Sequence, residues 1–194
     1  MFVTLEGIDR SGKTTHAALL AEALGPETKL LREPGGTSAG ERVRELLKNP
    51  ELELTPKAEL FLFSAARAEL ISEVIAPARD RDIDIVCDRF MDSTVAYQGA
   101  GRGLGVEYVE RVNDLVVGSC VPDLTVLLRI DPDLAAARDG TADDRFELEG
   151  IEFQRKVAAA YDELAQRHQR IEVVDGSGEV SEVAQRVLQL VESR

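Results

Sequence analysis

The chain has 194 residues, 44% of them hydrophobic and 30% charged, a mix that supports one globular domain with its own core and excludes a disordered or collagen-like chain. Its 36 Asp and Glu against 23 Lys and Arg give a formal net charge of −13, which argues against a broad electrostatic grip on nucleic acid or anionic lipid. The cations are 18 Arg and only 5 Lys, so any anion is expected to be held locally by forked, directional contacts.

Short β-rich apolar runs alternate with stretches of helical period, the pattern of a parallel sheet wrapped by helices. Strands are expected over 2–6, 29–32, 83–87, 124–130 and 171–174, and helices over 14–24, 38–47, 56–78, 106–117, 132–138, 151–169 and 179–193. Thr55 before Pro56 reads as a helix start, and Ser177 or Ser181 as a start for the last helix. Phe153, Val157, Tyr161, Leu164 and His168 recur at three- and four-residue steps, a stripe expected to face the core. The glycine-rich stretch 99–105 and the polar segment 139–150 read as loops, the second long enough to serve as a mobile lid. No repeat or linker divides the chain, so residues 1–194 are read as a single domain.

Directly after the first strand stands Gly7-Ile8-Asp9-Arg10-Ser11-Gly12-Lys13-Thr14, a full match to G-x-x-x-x-G-K-[ST] between a strand and a helix. Glycines let backbone N–H groups curl around phosphate oxygens, and the helix that follows adds its positive dipole end. Lys13 would bridge the terminal phosphates of a nucleotide, and Thr14 would offer a hydroxyl to Mg²⁺. This gives the expected fold class: α/β, a P-loop NTPase-type parallel five-stranded sheet flanked by helices. No N-K-x-D run for guanine is present, so a hydrolytic switch is the weaker reading.

Two further clusters end strands. Arg32-Glu33-Pro34-Gly35-Gly36-Thr37 places a guanidinium, a carboxylate and a Gly pair at a strand's carboxyl edge, where open α/β sheets bind ligands. Asp88-Arg89-Phe90 does the same, with Asp88 suited to Mg²⁺ or its waters and Arg89 to a phosphate.

Together the blocks V-T-L-E-G-I-D-R-S-G-K-T-T, R-E-P-G-G-T, L-F-S-A-A-R, D-R-F-M-D-S-T-V-A-Y-Q-G-A-G-R-G, P-D-L-T and D-R-F-E resemble the thymidylate kinase family over nearly the whole chain. The resemblance implies ATP-dependent phosphorylation of dTMP to dTDP. It also implies that Gly7 to Thr15 cradle the donor, with Arg138 or Arg145 helping at the ATP end, and that Phe63 stacks on thymine while Arg67 reads the base edge. Arg44 and Arg89 would hold the acceptor phosphate, and Asp9 would lie near the sugar 3′-hydroxyl. Glu33, Thr94 and Gln98 would line the acceptor site, and Tyr97 would crowd the 2′ carbon.

Arg10, Lys13 and Arg89 are the expected catalytic cations, with Thr14 and Asp88 toward the metal. The segment 138–145 has no Arg between its ends and three acids inside, unlike the Arg-rich lids of many bacterial relatives; this points to Arg10 as the source of transition-state charge. Phe90 stands where the family commonly has Tyr or His. The competing readings are another P-loop nucleoside or nucleotide kinase and a non-catalytic nucleotide-binding switch.

Cys87 and Cys120 have no partner at metal-ligand spacing, no basic leader precedes the first strand, and no apolar run reaches membrane-spanning length. A cytoplasmic protein is expected, with small-molecule partners, no nucleic acid, no membrane, and the homodimeric state usual in the family. His16 and His168 have no evident partner in the sequence.

Overall fold

The computed structural model describes residues 1–138 and 145–194; residues 139–144, half of the expected lid, lie outside the described residues. Five parallel strands are ordered β2-β3-β1-β4-β5: β1 (Phe2–Glu6), β2 (Lys29–Arg32), β3 (Ile85–Asp88), β4 (Leu124–Arg129) and β5 (Ile171–Asp175). Helices α1 (Lys13–Leu24) and α9 (Val180–Glu192) bury one face through Ala17, Leu20, Val183 and Val187. The other side is covered by α3 (Pro56–Leu70), α6 (Val106–Val117) and α8 (Ile151–Arg167), while α2 (Ser38–Lys48) packs on α3. The central strands are buried on both faces, as a sheet sandwiched between helices demands, with Thr4, Glu6 and Thr125 as their buried polar residues. The stripe on α8 is buried from Phe153 to Leu164.

β1 sits at the topological switch point, with β3 on one side and β4 on the other. Its register pairs Leu5 with Asp88, and β2 pairs Arg32 with the same Asp88. The three sequence clusters therefore leave the sheet along one edge.

Several boundaries differ from expectation. The third strand begins at Ile85, because Ile83 N–H still bonds to Ala78 O and Asp82 turns the chain at φ 54°. The helix expected over 56–78 is continuous, but its turn Ile71–Ile75 is widened before α4 (Ala76–Arg79); Pro77 has no N–H to give to the ladder. The expected loop over 99–105 was half right. Residues from α5 (Met91–Thr94) onward stay helical through the wide turns of Val95–Gly101. Gly101 is there for closeness: a Cβ would meet the Phe153 ring at 2.7 Å. The last helix starts after Glu179, and Ser177 instead bonds to Asp175 in a local turn. Thr55 caps α3 as expected, accepting from Ala58 N–H. His168 does have a partner, Glu110, at 3.2 Å.

Candidate active site

The phosphate loop leaves β1 and enters α1 at Lys13. Gly7 holds φ 146° with Leu128 O only 2.7 Å from where a Cβ would lie, so no side chain fits. No side chain caps the N-terminus of α1, which leaves its first N–H groups for a ligand. Lys13 is buried, its Nζ donating to Ile8 O at 2.7 Å, and burial together with the nearby Arg89 lowers its pKa to about 8. Ser11 is buried beneath the loop, while Thr14 and Thr15 are exposed.

Thr14 donates to Asp88 Oδ2 at 2.5 Å, and Asp88 Oδ1 is buried without a partner among the described residues. A hydroxyl, one carboxylate with a spare oxygen, and space for phosphate and water suit Mg²⁺, which rarely takes an all-protein cage. Among the described residues there is no group of three or more His, Cys, Asp or Glu able to hold a metal.

Arg89 is the hub. It sits in the left-handed region at φ 68° and donates to Gly7 O, Ser93 Oγ, Tyr97 OH and Asp9 Oδ1. Its guanidinium lies 4.8 Å above the Tyr97 ring. Burial alone would raise the Asp9 pKa, but Arg89 and Lys13 outweigh it and hold the carboxyl below its ordinary value. Glu6, wholly buried under this hub, accepts from Phe90 N–H, Ser93 and Tyr161 and so fixes the turn that presents Arg89.

Two of the cavities beside the loop gather the expected site residues. The first, about 110 Å³, is lined by Asp9, Arg44, Phe63, Arg89, Tyr97 and Gln98 among others, with Glu33 and Thr94 at its wall. The second, an open groove of about 440 Å³, runs along Arg10, Lys13, Thr14, Thr15 and Arg138 to Gly176. Arg10, at φ 59°, lies against the carbonyls of Ala136 and Arg138 beside α7 (Pro132–Ala136), and Arg138 reaches back to Arg10 O and Gly176 O.

Most of the expected site residues meet at these two cavities, and three placements differ. Arg145, expected at the ATP end, is on the opposite wall: it pairs with Glu59 at 2.7 Å and donates to Leu47 O. Arg67 does not open on the first cavity; it is 1% exposed behind it, spent on Glu33, Thr94, Asn113 and Phe90 O. Its charge instead steadies Glu33, whose pKa burial raises to about 7 against the opposing pull of Arg67. Arg32, at the strand edge, turns outward to Glu41.

Four residues of the site escaped the sequence reading. Phe146 roofs the first cavity, 5.8 Å from the Phe63 ring and 6.3 Å from Tyr97. Gln154 clasps Asp9, Nε2 donating to Oδ2 at 2.6 Å. Glu59 and Arg102 stand behind Gln98, with Gln98 Nε2 donating to Glu59 at 2.8 Å and Arg102 Nε at 3.1 Å. Phe146 lies in D-R-F-E and Arg102 in the block that begins at Asp88, the two available signals; Glu59 and Gln154 carry none.

A phosphate loop, a carboxylate–hydroxyl pair for a metal and an aromatic chamber across an arginine describe a site for two phosphorylated ligands. The sequence profile of the thymidylate kinase family matches residues 5–187. The chain belongs to the thymidylate kinase family. A relative named thymidylate kinase from Synechococcus sp. strain JA-3-3Ab is 46% identical over 198 residues, covering 100% of this chain and 96% of its own. Another from Pelobacter propionicus is 42% identical over 207 residues, covering 100% and 94%. Among solved structures, the thymidylate kinase from Ehrlichia chaffeensis superposes with a TM-score of 0.83 at 34% identity, covering 99% of this chain and 98% of its own.

Proposed function

We infer that this chain phosphorylates dTMP to dTDP with ATP as donor and Mg²⁺ as metal. The observation that carries the reading is the phosphate loop with a cavity on either hand, one aromatic-walled and lined by Asp9 and Arg89, the other running along Arg10 to Thr15, in a member of this family.

ATP fits the groove from Lys13 to Gly176, its phosphates against the α1 N-terminus and Lys13 Nζ. Mg²⁺ fits between Thr14 and Asp88, where it would neutralise charge on the donor phosphates. dTMP fits the first cavity, with its base between Phe63 and Phe146 and beside Gln98, its sugar against Tyr97, and its phosphate toward Arg44 and Arg89. A nucleotide monophosphate is largely dianionic near neutral pH and is its own nucleophile, so no residue need remove a proton. The work is to hold two anions in line and stabilise charge on the transferring group, and Arg10, Lys13 and Arg89 are the catalytic cations. Arg138 lies on the donor side. Arg67, with Glu33, positions the wall rather than reading the base.

Tyr97 is held against Phe153 with its hydroxyl on Asp9 and Arg89, which supports a role in crowding the sugar 2′ position and favouring deoxynucleotides. A homodimer and a cytoplasmic location belong to the same reading. Phe61 on α3 and Leu115 on α6 are exposed, and both thiols are buried and unpaired. No described helix is long and apolar enough to cross a membrane. The test is a coupled assay of ADP release with ATP, Mg²⁺ and a panel of nucleoside monophosphates. Turnover with dTMP well above dCMP, dGMP and CMP is expected, and activity on none would overturn the reading.

A further inference from the structure

Glu59 is a carboxylate with no exposed surface, one helical turn before Phe63 on α3. Burying such a group is costly unless it is fully paired, and three side chains converge on it. Arg145 meets one oxygen, while Arg102 Nε and Gln98 Nε2 both donate to the other. Arg102 also pairs with Glu149 and stacks on Phe146 and Phe153, so the group is held from the strap 145–149 as well as from the wall.

The consequence falls on Gln98. An amide can turn either end toward a neighbour, and its two ends are chemically opposite. A carboxylate accepts only, so the end facing Glu59 must be the NH₂. Gln98 is 1% exposed and lines the first cavity, and its Oε1 has no partner among the described residues. Thr94, beside it, gives its hydroxyl proton to Met91 O and so adds no donor to this wall.

We propose that Glu59 is a specificity-positioning residue: by capturing the Gln98 NH₂ it commits Oε1 to the cavity as an acceptor, which selects a base carrying a ring N–H at N3. Thymine and uracil present that N–H; cytosine presents a lone pair at the same atom, and two acceptors would face each other. This rests on the dTMP reading above. A site built around one hydrogen-bond polarity discriminates strongly because the wrong ligand leaves buried groups unpaired.

The experiment compares kcat/KM for dTMP and 5-methyl-dCMP, which differ only at positions 3 and 4 of the ring, in wild type and in Glu59→Gln. The amide at 59 can donate or accept, so Gln98 is released to turn. The dTMP preference is expected to fall by about tenfold or more, the change appearing in KM. A merely structural role would lower activity on both nucleotides and leave the ratio intact; a ratio within about twofold of wild type overturns the proposal.

Where Glu59→Gln fails to fold, wild-type protein with ¹⁵N-labelled dTMP gives the second readout. An N3 imino proton protected from solvent exchange in the complex supports the proposal, and one exchanging as in free nucleotide overturns it. Wild type that turns over no dTMP would instead sink the activity reading, a result distinct from either.

Discussion

Arg89 Nη2 lies 2.5 Å from Asp9 Oδ1, so the first loop of the chain and the turn after β3 are joined by one ion pair at the wall of the first cavity. The same guanidinium also reaches Gly7 O, Ser93 and Tyr97. In the proposed reading Arg89 would thus both hold the acceptor phosphate and brace the phosphate loop against the turn after β3.

Replacing Arg89 by Lys tests that double duty. An ammonium on a flexible stem cannot serve four partners in fixed directions. Arg89→Lys is expected to lower kcat/KM for dTMP by about 10²-fold or more, with charge retained. Steady-state kinetics decide it, and a loss below about fivefold would contradict the hub.

Arg10 is suited to an unusually clean substitution. Its φ of 59° is one that glycine adopts without strain, so Arg10→Gly removes the side chain while sparing the backbone. The turnover number should fall by about 10³-fold with the KM for dTMP changed less than about threefold. Near-normal turnover would remove Arg10 from the catalytic set.

Lys13 carries a pH signature. Its pKa of about 8 in the free protein, against an ordinary 10.5, means that it is about half protonated at pH 8. Nucleotide phosphates favour the charged form, so binding ADP at pH 8 should take up about half a proton, and much less at pH 6. Calorimetry in buffers of different ionisation heat measures this directly. Proton release would contradict it.

The Arg67–Glu33 pair predicts a pH-dependent stability defect. Glu33 has a folded pKa of about 7, above its ordinary 4.5, so the fold favours the protonated acid and loses stability as pH rises from the ordinary value through the folded one. Arg67→Met removes the group that offsets burial and drives the folded pKa higher. The variant should lose about 3–5 kcal/mol at pH 8 and distinctly less at pH 5.5, measured by urea unfolding. Equal losses at both pH values would show that the defect is one of packing.

The parts of the site that were legible in the sequence are those whose chemistry is local. Gly7, Lys13 and Asp88 follow from a strand ending, a turn and a helix beginning within a few residues. Arg145 was readable as a cation at the end of a polar segment, but which wall it would join depends on Glu59, and nothing near Glu59 announces a buried acid. Charges on an amphipathic helix normally face water; this one is buried because partners arrive from the glycine-rich wall and the far strap. Arg67 was misplaced for a related reason. Its spacing from Phe63 puts both on one side of α3, yet the larger side chain is drawn under the wall by Glu33 and Asn113.

The glycines of that wall read as a loop in the sequence, and the fold uses them for contact. Because Gly101 lets the chain press against Phe153, the stretch that carries Thr94, Tyr97 and Gln98 is locked into the same packed layer as α8. A chamber made of such material exists before any nucleotide arrives, so little ordering entropy opposes binding on this side. Its amides should exchange with solvent at rates typical of the protein core, although the sequence reads as a loop. Stiffness here comes from the residue with no side chain.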